Sequence, residues 1–206
     1  MSPFARGSGR TLWTAARLIV LLTVLLGLVY PLTVTGVAQV VFPRQAQGSL
    51  VHDRHGQVVG SALLGQSFTD PSGAPLRQYF QSRPSAAGDG YDARSSSGSN
   101  LGPEDPRLIA EVEQRRAAVA ALEQVDPALV PPDALTASGS GLDPHISPAY
   151  AELQVARVAA ARGLPLAQVR DLVARHTHGP ALGYVGQARV DVLALNLALD
   201  EAGGRR

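Results

Sequence analysis

The run Ser138-Gly-Ser-Gly-Leu-Asp-Pro-His145 is the most site-like stretch of the sequence. A Gly/Ser loop leading into a helix start offers backbone N–H groups to an anion. Ser138, Gly139, Ser140 and Gly141 are therefore a candidate phosphate cradle. The run lacks the spacing of a P-loop, and the chain has no Lys, all 18 of its basic residues being Arg. Asp143 and His145, beside Ser138 or Ser140, raise a second chemistry: that of a membrane-anchored extracytoplasmic hydrolase. A triad needs three groups assembled around an oxyanion hole. Ser140 stands directly between Gly139 and Gly141, which is not a Gly-x-Ser-x-Gly elbow. His176-x-His178 offers two imidazoles to a metal, but no third ligand is close and Gly179-Pro180 follows, so a solvated loop is expected.

Composition narrows the field further. The chain has 206 residues, 45% hydrophobic and 17% charged, enough for one domain of ordinary size and something extra. Cys is absent, which removes disulfide scaffolds, thiolate metal sites and cysteine nucleophiles. Without Lys there is no Schiff-base or general-base lysine. A formal charge of +1 argues against a nucleic-acid binder. The charge is uneven. Residues 1–44 carry four Arg and no acid, whereas residues 45–206 carry 14 Arg and 17 acids. A basic head on a mildly acidic body suits a chain oriented in a membrane.

The elements that position these groups begin with an apolar run. No charged residue lies between Leu18 and Pro43, longer than the roughly 20 residues needed to cross the hydrocarbon core. A cleaved signal peptide would end near Gly36-Val37-Ala38, but the apolar stretch continues through Val40, Val41 and Phe42. A retained helix over 18–42 follows, with a basic segment 1–17 inside and residues 43–206 outside the cytoplasmic membrane, because Arg6, Arg10 and Arg17 precede the span. A kink is expected near Pro31. Thr33, Thr35 and Gln39 need an interface or a partner helix.

Residues 43–206 read as a single mixed α+β domain. Ser49–Val51 and Val58–Leu64 flank a turn at Asp53–Gln57, the signature of a hairpin. Phe68 and Arg77–Phe80 suggest another short strand. Ser85–Pro106 reads as a long surface loop. Asp105-Pro106 opens a helix with Leu108, Val112, Val119 and Leu122 on one face and a stop at Pro127. Arg115-Arg116 interrupts that face and is expected to meet solvent or a partner. Ser147-Pro148 opens a second helix ending at Gly163. Pro165 starts a third, and Asp191 caps a buried C-terminal helix over Val192–Leu199.

Motifs in fixed order then point to a family. They include Tyr30-Pro-Leu-Thr33, Ala46-x-Gly-Ser-Leu50, Leu64-Gly-Gln66, Tyr79-Phe80, Arg83-Pro-Ser-Ala86 and Gly98-Ser-Asn-Leu101. Thr136-Ala-Ser138, Gly141-Leu-Asp143, Arg157-Val-Ala159, Ala161-Arg162, Gly186-Gln187 and Leu195-Asn-Leu-Ala-Leu-Asp200 follow. The chain resembles the C subunit of the Kdp potassium-transporting P-type ATPase complex of bacteria. The resemblance implies a non-catalytic accessory subunit, with no cofactor of its own, beside a pore-forming potassium-binding subunit and an ATP-hydrolysing subunit. It implies a part in complex assembly and coupling, and in raising the ATP affinity of the hydrolysing subunit. It also adds Gln154 and Arg157, which fall on family motif positions, to Ser138–Gly141 as candidate nucleotide contacts. The topology places all six on the side away from cytoplasmic ATP, so a structural or subunit-contact loop is the expectation. The residues agree with a non-conducting, non-hydrolysing role: one helix cannot enclose a carbonyl-lined filter, and no aspartyl-phosphate motif is present.

The N-terminal arginines give a direct test of orientation. Protease added to intact cells stripped of their outer membrane is expected to remove an epitope placed after residue 206 and to spare one placed before residue 6. A protected C-terminal epitope overturns the assignment.

Overall fold

The computed structural model describes residues 8–203. These fall into two units, one ending at Ser49 and the other beginning at Leu50.

The first unit is one helical path. Helix α1 covers Ser8–Val24, a π turn covers Leu25–Val29, and α2 covers Tyr30–Val41. Pro31 has no N–H to continue the ladder. The irregularity expected there takes the form of the π turn just before it, in which the Tyr30 N–H reaches the Leu25 carbonyl. Thr33 finds its partner within its own helix, its hydroxyl donating to Val29 O at 2.8 Å. Gly9–Val41 is 33 residues long, about 50 Å at 1.5 Å per residue, more than the hydrocarbon thickness. Its Leu, Ile and Val side chains stand exposed along its length, as a lipid-facing helix requires. A short helix α3, Pro43–Ala46, follows.

The second unit is α+β. Strands β1 (Leu50–His52) and β2 (Val58–Ser61) form the antiparallel hairpin, with a bulge between Val51 and His52. Asp53 closes its turn by accepting from the N–H groups of His55 and Gln57. β2 ends at Ser61 because the Ser61 hydroxyl accepts from Leu63 N and turns the chain. Helix α4, Pro106–Glu123, starts where Asp105 Oδ1 accepts from Arg107 N at 2.9 Å. It stops at Gln124, which adopts a left-handed conformation, and not at Pro127, which opens a 3₁₀ turn instead. Arg115 does not point to solvent alone; it donates to Leu135 O at 3.0 Å and pairs with Glu111.

Helix α5, Pro148–Arg162, is capped by Ser147 Oγ on Tyr150 N at 3.0 Å and closed by Gly163 at φ 65°. Helix α6 is Leu166–Arg175, and α7 is Val192–Ala202 with Asp191 as its cap. Three further strands make an antiparallel sheet in the order β3 (His145–Ile146), β5 (Arg189–Asp191), β4 (Thr177–His178). Central Val190 pairs with both Ile146 and Thr177. The core is built from α5, α6 and α7 around Val155, Val158, Val169, Val190, Leu195 and Leu199.

The strip Arg77–Ser82 is not a strand, although its residue types suggested one. Its Phe80 and Gln81 are buried, with Phe80 fully enclosed, while Arg77 is exposed. Side chains take the place of neighbouring strands. Asn196 accepts from Phe80 N at 2.9 Å and donates to Phe80 O at 3.0 Å. Gln154 does the same for Gln81 at 2.6 and 3.2 Å. Arg157 donates from Nη1 to Arg77 O and Tyr79 O, from Nη2 to Gln154 Oε1, and from Nε to both oxygens of Glu123 at 2.9 and 3.0 Å. Burial pushes the Glu123 carboxyl above its ordinary range, against the opposing charges of Arg157 and Arg77. Arg162 closes the far end, contacting Gln78 O, Leu199 O and Asp200, and lying 4.8 Å above the Tyr79 ring.

Removing Arg157 strands a buried carboxylate and three acceptors. Arg157→Leu is expected to destabilise the α+β domain by about 3 kcal/mol or more. Arg170→Leu, which breaks an exposed pair with Glu152, is expected to cost less than about 1 kcal/mol. Urea denaturation of the full chain followed by circular dichroism measures both; equal losses contradict the buried network's role.

Candidate functional site

The loop 136–145 crosses the domain surface between a 3₁₀ turn, Pro132–Ala134, and β3. Its carbonyls are anchored on all sides. Ser140 O accepts from Ser97 N at 2.9 Å and from Ser96 Oγ at 3.0 Å. Gly141 O accepts from Ser85 Oγ at 2.6 Å. Leu142 O accepts from Gly65 N at 2.8 Å, and Pro144 O from Val192 N at 3.1 Å. Gly141 is buried at φ +68°, where a Cβ would meet Ser97 O at 2.6 Å and Ala87 N at 2.7 Å. Only glycine fits that position.

Several N–H groups of the loop are spent within it. Gly141 N donates to Ser138 O, Leu142 N to Ser140 Oγ, and His145 N to Asp143 Oδ1. The exposed tip is Gly139-Ser140. A solvent-open depression of about 650 Å³ lies beside it, lined by Ser138, Gly139, Ser140, Asp143 and His145, with Arg83 across from them. Gln154 and Arg157 do not line this depression. They sit buried on α5, committed to the strip 77–81 and to Glu123. The fold therefore keeps the loop quartet together and separates it from the α5 pair.

Asp143 is the electrostatic centre of the loop. Its Oδ1 takes the His145 N–H and the His145 Nδ1, both at 3.0 Å, and its Oδ2 takes Arg83 Nη1 at 3.2 Å. Arg83 also donates to Thr136 O, so it ties the beginning of the loop to its end. Burial opposes ionisation of Asp143, but the His145 hydrogen bonds and then the charges of His145 and Arg83 outweigh it. The carboxyl is held below its ordinary range. The serine hydroxyls face elsewhere: Ser138 and Ser140 lie 3.4 Å from each other, and neither bonds His145. The arrangement joins an acid to a base and brings no nucleophile to them. His176 and His178 belong to the end of α6 and to β4, with His176 Nδ1 against Leu172 O, and no metal-binding cluster of His or carboxylates occurs among the described residues.

With this geometry in place, comparison with known proteins is informative. A family model described as KdpC: K+-transporting ATPase, c chain, matches residues 12–201. The chain belongs to the KdpC family. A relative from Beijerinckia indica, a potassium-transporting ATPase KdpC subunit, is 57% identical over 88% of this chain and 89% of its own length. A KdpC subunit from Caulobacter vibrioides is 56% identical, over 87% of each chain. Another from Kineococcus radiotolerans is 57% identical over 92% of each. Several blocks that carry the resemblance to the KdpC family prove to be structural: Tyr79-Phe80, Arg157, Arg162, Asn196 and Asp200 all meet at the buried strip. Sequence reasoning missed Gln81, Glu123 and Asn196 as a set, because they lie far apart in the chain and only the fold brings them to one strip.

Asp143 contributes stability that is present above its unfolded pKa, near 3.8, and is lost as pH falls through its lower folded value. Asp143→Ala is therefore expected to lower the domain's Tm clearly at pH 7, by an amount equivalent to about 1–3 kcal/mol, and progressively less below pH 4. Thermal melts of both chains from pH 7 to pH 3 check this; a gap that does not narrow in acid contradicts it.

Proposed function

We propose that this chain is a non-catalytic accessory subunit of an ATP-driven potassium uptake pump in a bacterial cytoplasmic membrane. The observation that carries the proposal is that the KdpC family match covers the membrane-length helix and the folded domain alike, from residue 12 to residue 201. The relatives are potassium-transporting ATPase subunits by name. The single apolar helix anchors the chain, with its N-terminus inside and the α+β domain outside. It pairs with a pore-forming subunit and an ATP-hydrolysing subunit, and both ATP hydrolysis and potassium passage take place in those partners.

The loop around Asp143 serves this role by shape. Its carbonyls and three of its N–H groups hold the domain together, and its exposed tip is available to a neighbouring subunit. We read Ser138, Gly139, Ser140 and Gly141 as subunit-contact residues, and Gln154 and Arg157 as the clamp behind the strip. Any effect on the ATP affinity of the hydrolysing subunit is then exerted through subunit contact, without a nucleotide held by this chain.

Two substitutions separate shape from chemistry. Gly141→Val is expected to reduce co-purification with the partner subunits severalfold, because the added Cβ clashes with Ser97 and Ala87 backbone. His145→Ala is expected to leave potassium-stimulated ATPase activity per assembled complex within about twofold of the parent, since no reacting group faces it. Normal assembly with near-complete loss of turnover in His145→Ala would show that the loop acts chemically.

A further inference from the structure

One mainly apolar concavity of the α+β domain has no part in the reading above. A cavity of about 420 Å³ opens between α4, α5 and the segments 67–75 and 82–91. That is the size of a small-molecule site. Its walls are Phe68, Val119, Leu122 and the rings of Tyr91 and Tyr150, with Ala118 at the exposed edge.

Tyr150 makes this more than a packing defect. It is 3% exposed, and its ring is part of the core. Its hydroxyl makes no hydrogen bond within the protein. No polar side-chain atom sealed from solvent lacks a partner among the described residues, so the hydroxyl is not fully sealed, and Tyr150 lines the cavity. A tyrosine this deeply buried normally finds a partner for its O–H. Among the other polar side chains of the lining, Ser67 and Thr69 lie exposed to solvent, and the more enclosed ones are engaged. Tyr91 donates to Arg83 O at 2.7 Å, Ser82 to Gln66 O, and Ser85 to Gly141 O. Gln81 donates to Phe68 O and Leu76 O. The two cations at the rim are neutralised, Arg83 by Asp143 and Arg115 by Glu111. Burial also raises both phenols, Tyr91 to about 12 and Tyr150 further, so both stay neutral at physiological pH.

The geometry points to a binding site for a small, neutral, mostly apolar molecule carrying one hydrogen-bonding oxygen, which sits in the cavity between α4 and α5 and bonds the Tyr150 hydroxyl. The walls supply burial, the hydroxyl supplies orientation, and the balanced rim disfavours a charged ligand. The site is separate from the loop 138–145 and from the strip clamp. It stands or falls independently of the pump assignment.

Naphthol is a suitable probe, with naphthalene and naphthoate as companions that lack the oxygen or carry a charge. Binding to the full chain in lipid nanodiscs is measured by fluorescence, with empty nanodiscs subtracted. Saturable naphthol binding is expected, weakened about fivefold by Tyr150→Phe, the worth of one hydrogen bond, and abolished by Ala118→Trp, which plugs the mouth from an exposed position. Naphthalene binding should be unchanged by Tyr150→Phe. Absence of saturable naphthol binding, equal binding by Ala118→Trp, an unchanged affinity in Tyr150→Phe, or naphthoate binding more tightly than naphthol each overturns the assignment. Both variants are checked for parental circular dichroism, and Tyr150→Phe keeps the ring that the core uses.

Discussion

Burying an extended segment without a neighbouring strand is the constraint on which the α+β domain depends. Backbone N–H and C=O groups taken out of water must find partners, and a lone strip has none of its own. Here the partners are side-chain amides. Asn196 from α7 meets both backbone groups of Phe80, and Gln154 from α5 meets both of Gln81. Successive residues of an extended chain present their polar groups to opposite sides, so two helices are needed, one on each flank. The strip thereby fixes the separation of α5 and α7, and Phe80 fills the space between them with no surface exposed.

The charged members follow from that arrangement. Arg157 can reach the strip's carbonyls only from inside, where an isolated guanidinium would be costly. Glu123, at the end of α4, supplies the counter-charge through both carboxylate oxygens. Gln124 then turns left-handed and ends α4 at that point. Helix length, ion pair and strip are thus parts of one solution. The Asp143 loop is organised in a comparable way at smaller scale: a carboxylate, an arginine and a set of anchored carbonyls hold a tight turn that only Gly141 can make. In both places, residues that suggest chemistry in the sequence have a structural use in the fold.

The two units follow different rules. The N-terminal helix keeps its hydrophobic surface outward and absorbs Pro31 by widening one turn. The α+β domain, without cysteine, relies on its core and its buried polar pairs. Tyr150 belongs to that core through its ring and also lines the cavity between α4 and α5.

Much of this was legible in the sequence by itself, wherever the determining interaction is local. An uncharged apolar run calls for a long helix, which in the structure begins well before Leu18, and Asp105-Pro106, Ser147-Pro148, Asp191 and Gly163 set helix ends because a cap bonds within three residues of itself. The hairpin was legible because its turn closes on Asp53. Strands β3, β4 and β5 were not, since two or three residues carry no period, and the β3–β5 pairing joins positions more than 40 apart. The strip 77–82 has the composition of a strand, and only the tertiary structure decided that helices would flank it. The same holds for the candidate site. The sequence placed Ser138–Gly141, Gln154 and Arg157 in one candidate set, but burial of α5 turned Gln154 and Arg157 inward, away from the loop, because their polar groups were needed where the backbone had lost its water.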